Sequence, residues 1–203
     1  MARFDAESRE LNLKIVYHGP TLAGRTTNIL YISSKTRPEA RGTMMSCASE
    51  EEQWLRFDLR SLSMPPVDGH HIRLHLWCSP GARYIPLAKE RVLDGADGLI
   101  FVADSDPFRS EANVEALSHL KTWLEGQGRP WATTPLVMTY NKRDLPQATP
   151  LAELQARLNR EGRPEFETCA YTGIGVFDAL RTSCNGILAH LRETGVIPSE
   201  SRG

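Results

Sequence analysis

The chain has 203 residues, 40% hydrophobic and 24% charged, which suits one globular domain with a substantial core and excludes a disordered or fibrous protein. Its 24 basic and 25 acidic side chains leave a formal net charge of -1, so no global field draws it onto nucleic acid or an anionic membrane. The longest apolar run, residues 99–103, is far below the roughly 18 that a membrane span needs. The amino terminus has no apolar signal core, and the four cysteines are too scattered for a metal knuckle or a secreted framework, so a soluble protein of the reducing cytoplasm is expected.

Taken in chain order, residues 11–17 alternate into an apolar run that stops at His18-Gly19-Pro20, a strand entering a glycine-marked turn, with a helix expected over 26–34. Residues 37–52 are polar, contain Pro38 and Gly42 and show neither helical nor strand period, so they read as a long, mobile connection. Residues 53–59 and 72–77 alternate on either side of the turn at residues 65–69 and predict an antiparallel hairpin. The continuous apolar runs 99–103 and 136–140 predict parallel strands covered on both faces. Helical patterns at 86–93, 111–124, 151–158 and 176–191, with a short last strand at 166–169, complete a doubly wound, mostly parallel α/β sheet with one antiparallel hairpin edge. The expected division is an N-terminal segment at 1–10, a single domain at 11–195 and a disordered tail at 196–203.

Gly19-Pro20-Thr21-Leu22-Ala23-Gly24-Arg25-Thr26 fits G-x-x-x-x-G-K-[ST] except at the lysine, and it sits between a strand and a helix as that motif requires. Its backbone N–H groups, those of Gly19, Thr21, Leu22, Ala23, Gly24, Arg25, Thr26 and Thr27 among them, would cradle the α- and β-phosphates of a nucleotide. The Thr26 hydroxyl is placed to ligate Mg²⁺. Arg25 keeps the lysine's charge but not its slim shape, because guanidinium is planar and wide. Asn141-Lys142-Arg143-Asp144 follows the buried run 136–140 and fits N-K-x-D. A carboxylate at Asp144 can accept from guanine N1–H and N2–H₂, which adenine cannot offer. Lys142 would lie along the base plane, Asn141 would tie this turn to the phosphate loop, and Leu145 closes the turn. Backbone N–H groups of Cys169, Ala170 and Tyr171 stand where they could meet guanine O6.

With Ser79-Pro80-Gly81, which adds Gly81 to the phosphate contacts, and the run Asp97 to Ser105, these motifs resemble those of small Ras-like GTPases. The resemblance is closer to the MglA family of bacterial polarity and gliding-motility GTPases and covers roughly residues 10 to 195. It implies a P-loop NTPase fold of the small-GTPase type. It also implies a GTP/GDP switch with Mg²⁺, recruited to a cell pole, turned off by a Roadblock-type (MglB-like) dimeric partner and carrying its own arginine finger. The catalytic positions depart from that pattern: the finger and its neighbouring metal-sensing threonine fall on Gln53 and Trp54, and the water-orienting glutamine on Ala82. An arginine finger is worth roughly 10³–10⁵ in rate, so hydrolysis should be very slow or lost. Thr43, 17 residues after Thr26, is a candidate replacement for the metal-sensing threonine.

Other clusters read as structural. His70, His71 and His75 fit a solvated turn better than a metal site, and Cys78 fits a small packed residue better than a nucleophile. Trp54 suits either a core position or a partner anchor. Three readings stay open: a slow guanine-nucleotide switch whose partner reads residues 37–60 and 79–90, a pseudo-GTPase in which Arg25 fills the phosphate site and only the surface works, and an ATP-using enzyme with the same loop.

Overall fold

The computed structural model describes residues 2–48, 53–61, 64–78 and 86–198. Two strands are buried along their whole length, β6 (Gly98–Asp104) and β7 (Leu136–Asn141), as uninterrupted apolar runs between polar turns demand. They pair in parallel, and β6 pairs in parallel with β2 (Glu10–His18). On the other side of β2 comes β5 (His71–Cys78), also parallel, in which Ile72, Leu74, Leu76 and Cys78 alternate inward. The sheet runs β3 (Arg41–Ala48), β4 (Gln53–Arg60), β5, β2, β6, β7 and β8 (Glu165–Glu167), the last starting one residue and ending two residues earlier than the pattern suggested.

Period-2 alternation divides the core between the two sheet faces. Ile100 and Val102 point to one face with Leu13, Ile15, Phe57 and Leu76, under α1 (Arg25–Lys35) and α5 (Val176–Glu193). Leu99, Phe101 and Ala103 point to the other with Met138 and Tyr140, under α3 (Ser110–Gly126) and α4 (Leu151–Leu158). Helix α5 buries Val176, Ala179, Leu180, Ser183, Cys184, Ile187, Leu188 and Leu191, spacings of three and four that make one apolar stripe. It lies so close to β6 that a Cβ on Gly98 would come within 2.6 Å of Ile187. The remaining helix, α2, spans Pro86–Leu93.

Two strands were not legible beforehand. The expected mobile connection contains β3 (Arg41–Ala48), antiparallel to β4 (Gln53–Arg60) with a register shift between Arg41 and Met44, so the antiparallel edge is three strands, β3-β4-β5. An outermost strand exposed on both faces has no buried side to impose alternation; Met44 and Met45 are 37% and 47% exposed. Residues 49–52 lie outside the described segments. A short β1 (Arg3–Asp5) pairs antiparallel with residues 10–12, on the stretch of β2 before β6 begins to pair at Ile15. At the other end Ile197 is 3% exposed and packs into the first core face; the tail expected to be disordered lies, from residue 199, outside the described residues.

No helix among the described residues is long and apolar enough to cross a membrane. None of the four cysteines forms a disulfide. His70 stacks edge-on against Phe4, while His75 lies within hydrogen-bond distance of Asp58 and Asn12, so the three histidines do not converge.

Candidate functional site

Parallel neighbours β2, β6 and β7 finish at one edge of the sheet, at His18, Asp104 and Asn141, and each continues into a loop there. Open α/β sheets place ligands beyond these carboxyl ends. The first loop, residues 19–24, needs left-handed backbone at Gly19 (φ 145°), Leu22 (φ 67°) and Gly24 (φ 100°). A Cβ on Gly19 would stand 2.2 Å from the Val102 carbonyl oxygen, so only glycine lets the loop turn this close to β6. Gly24 begins α1 without a side-chain cap, which leaves the N–H groups of the first turn to whatever sits above them. Thr21 is half-buried, Leu22 is 79% exposed, Ala23 is buried, and Thr26 and Thr27 face outward.

Asn141 joins the loops. Its Nδ2 donates to the Ala23 carbonyl at 2.7 Å, and its Oδ1 accepts from the Ala170 N–H at 2.9 Å and the Thr168 hydroxyl at 3.2 Å. The tie expected between the Asn141 turn and the phosphate loop is present, and it extends to the loop after β8. There Cys169 donates its N–H to the Ile174 carbonyl and accepts from Gly173, closing a tight turn rather than continuing the strand. Two of the three N–H groups assigned to a base oxygen are thus occupied within the protein, while Tyr171 is 85% exposed. Asp144 is exposed and makes no hydrogen bond among the described residues, and the Leu145 N–H closes the turn on the Lys142 carbonyl.

The sequence reading missed Asp104 and Arg109. Asp104 is fully buried and accepts from Lys142 Nζ at 2.6 Å, while its backbone N–H and C=O both pair with the side chain of Asn113. Arg109 lies 4.0 Å from the same carboxylate and donates to the Thr21 carbonyl at 2.7 Å, clamping the first loop from the β6 side. The available signal was a carboxylate closing an apolar strand at the edge where open α/β sheets place ligands. Lys142, at φ 67°, spends its ammonium on Asp104.

Arg25 is 7% exposed at the start of α1. Burial lowers its guanidinium below the ordinary arginine value, and Cys78, at the end of β5, works in the opposite direction. Cys78 Sγ lies 3.6 Å from the Thr26 hydroxyl, so the end of β5 meets the first turn of α1 here. Thr43 is exposed on the edge strand β3, at its register shift, not in an unpaired connection. Trp54 is half-buried and packs on Trp77, ring centroids 5.3 Å apart, beside the second core face, which favours the packing role over a free anchor. Gln53 contributes backbone to β4, while Gly81 and Ala82 lie outside the described residues.

No family model matches the chain. It is 41% identical over 195 residues to the mutual gliding-motility protein MglA of Myxococcus xanthus, covering 96% of this chain and 100% of that protein. It is also 33% identical over 103 residues to ADP-ribosylation factor-like protein 4C of human and of mouse, covering 50% of this chain and 51% of those proteins. With the phosphate loop, the Asn141 tie and this full-length likeness together, the chain belongs to the MglA family of small GTP-binding regulatory proteins.

Proposed function

We propose that the chain is a guanine-nucleotide switch in bacterial polarity or motility regulation, cytoplasmic and recruited to a cell pole. It binds GTP and GDP through residues 19–27, Asn141, Lys142, Asp144, Leu145 and the 169–171 loop, and hydrolyses GTP slowly or not at all. The observation that carries this reading is the Asn141 side chain, which links the phosphate loop to both segments that would meet the base. Ligand anywhere in that frame is felt by all three. The full-length likeness to a gliding-motility protein supports the process. Gln53 has no charge to oppose the developing negative oxygens and Ala82 has no polar atom to hold the attacking water, which supports slow turnover. A Roadblock-type (MglB-like) dimer is the partner class that the family suggests.

A second reading, a nucleotide-free interaction module, draws on the burial of Arg25 in the loop's own corner. Melting the protein alone and with saturating GTP, GDP or ATP separates the two. Ligand at about 100 times its Kd adds roughly 2.7 kcal/mol, a rise of about 5–10 °C at this size. A rise with GTP and GDP but not ATP is expected, and no rise with any nucleotide would replace the switch by the module.

A further inference from the structure

The carboxyl end of β6 gathers two cations around one oxygen. Asp104 is fully buried, and its backbone N–H and C=O both pair with the side chain of Asn113 on α3, which fixes the strand end. Its Oδ1 accepts from the Asp106 N–H at 3.1 Å. Its Oδ2 accepts from Lys142 Nζ at 2.6 Å and stands 4.0 Å from Arg109 Nε, a buried N–H with no hydrogen-bond partner among the described residues. Charge rather than a hydrogen bond therefore holds Arg109 to Asp104. From there Arg109 spans 88 residues of chain to donate from Nη2 to the Thr21 carbonyl at 2.7 Å.

A trans peptide points its C=O and its N–H in opposite directions, and the chain has no cis bond among the described residues. Holding the Thr21 carbonyl toward Arg109 thus turns the Leu22 N–H away from it, on a residue at φ 67°. That N–H donates to nothing among the described residues, whereas the next one, of Ala23, is spent on the Pro20 carbonyl at 3.3 Å. An N–H left open by a left-handed turn of backbone is what an anion-binding nest offers. We infer that Arg109 and Asp104 are positioning residues of the nucleotide site: Asp104 holds the guanidinium, and Arg109 fixes the Thr21–Leu22 peptide so that the Leu22 N–H meets the β-phosphate. Arg109 has no part in selecting the base. The inference rests on the guanine-nucleotide reading above.

The test is the Kd of the full chain and its variants for GMP, GDP and ADP, by competition with a fluorescent GDP analogue. Arg109→Met removes the donors and keeps much of the length; it should weaken GDP by about tenfold and GMP by under about threefold, with the GDP to ADP ratio held within about twofold. Arg109→Lys should recover at least about threefold of the loss, since an ammonium can still reach the carbonyl. Asp104→Asn should weaken GDP relative to GMP in the unmodified chain and leave that ratio unchanged in the Arg109→Met background, because the two act through one contact. If Asp104→Asn does not fold, the Arg109 variants decide alone. Equal losses for GMP and GDP, no loss for either, a GDP to ADP ratio that moves with Arg109→Met, or a lysine that restores nothing each overturn the inference and leave the guanine site standing. Absence of GDP binding by an unmodified chain that melts cooperatively overturns the guanine reading and this inference with it.

Discussion

Asn141 Nδ2 donates to the carbonyl of Ala23 at 2.7 Å, bridging 118 residues of chain from the end of β7 to the phosphate loop. The residue is 2% exposed, so all its partners are shut away from water. Asn141→Ala strands the Ala23 carbonyl, the Ala170 N–H and the Thr168 hydroxyl together. Each unsatisfied buried group costs roughly 1–3 kcal/mol, so a loss of about 2–4 kcal/mol and a melting temperature lower by about 5–15 °C are expected after partial relaxation. Asn141→Asp should be no milder, since it sets an oxygen against the Ala23 carbonyl. A melt shifted by under 1 °C in either variant would remove Asn141 from the frame.

Gly24 and Asn141 act on the same contact. A Cβ at Gly24 would stand 2.2 Å from Asn141 Nδ2, at a φ of 100° that side chains rarely adopt. Gly24→Ala therefore both strains the loop and pushes the amide off Ala23. In a double-mutant cycle with Asn141→Ala the two losses should fall short of additivity by about 1 kcal/mol or more. Strict additivity in urea unfolding would mean that the tie is not what Gly24 protects.

Asp144 makes no protein hydrogen bond among the described residues and is exposed, so its role is legible only with a ligand present. Asp144→Ala should leave the melting temperature of the free chain within about 1 °C, as exposed substitutions do. The same variant should lose guanine over adenine preference by about 100-fold or more, because the partner for N1–H and N2–H₂ is gone. Competition of GDP against ADP on the variant measures this, and an unchanged ratio would take Asp144 out of base selection.

Acid should weaken the β2-β5-β4 side of the sheet. Two hydrogen bonds from Arg73, at 2.5 and 2.8 Å, hold the Glu10 carboxyl below its ordinary range. Burial pushes Asp58 upward, but hydrogen bonds from His75 and Arg56 outweigh it and leave that carboxyl lowered too. A carboxyl lowered in the folded state binds its proton more tightly when unfolded. Its stabilisation is therefore complete above the unfolded value, about 4, and disappears as pH falls through the folded value. Asp97, raised by burial, acts in the opposite sense. Glu10→Gln with Asp58→Asn should lower the melting temperature at pH 7 and flatten its decline below pH 4, a flattening that circular dichroism melts at pH 2–7 would show or refute.

Restoring Ala82→Gln and Gln53→Arg together should accelerate GTP hydrolysis at least about tenfold if these are the lost catalytic positions. Single-turnover phosphate release measures it. A double variant no faster than the unmodified chain would mean that the arginine and glutamine belong elsewhere in the sequence.

The central strands and the loops at their carboxyl ends were legible because their physics is local. Leu99 to Ala103 are apolar throughout, and Leu136 to Tyr140 are apolar but for Thr139, whose hydroxyl donates to the Phe101 carbonyl, because both faces are covered; Gly19 and Gly24 are forced by backbone angles that other residues resist. Thr26, Asn141 and Asp144 follow those strands at fixed offsets, so the sequence alone placed them at one edge. Tertiary structure decided the rest. β3 is held by its ladder to β4 rather than by a buried face, so nothing in Arg41 to Ala48 announces it. Asp104 and Arg109 became site residues only when β6 fell between β2 and β7, bringing their side chains to Lys142 and Thr21. Arg25 kept its charge in either view; only the fold buried it, because α1 packs against β5 and brings its first turn, Arg25 and Thr26, to Cys78 from a distant stretch.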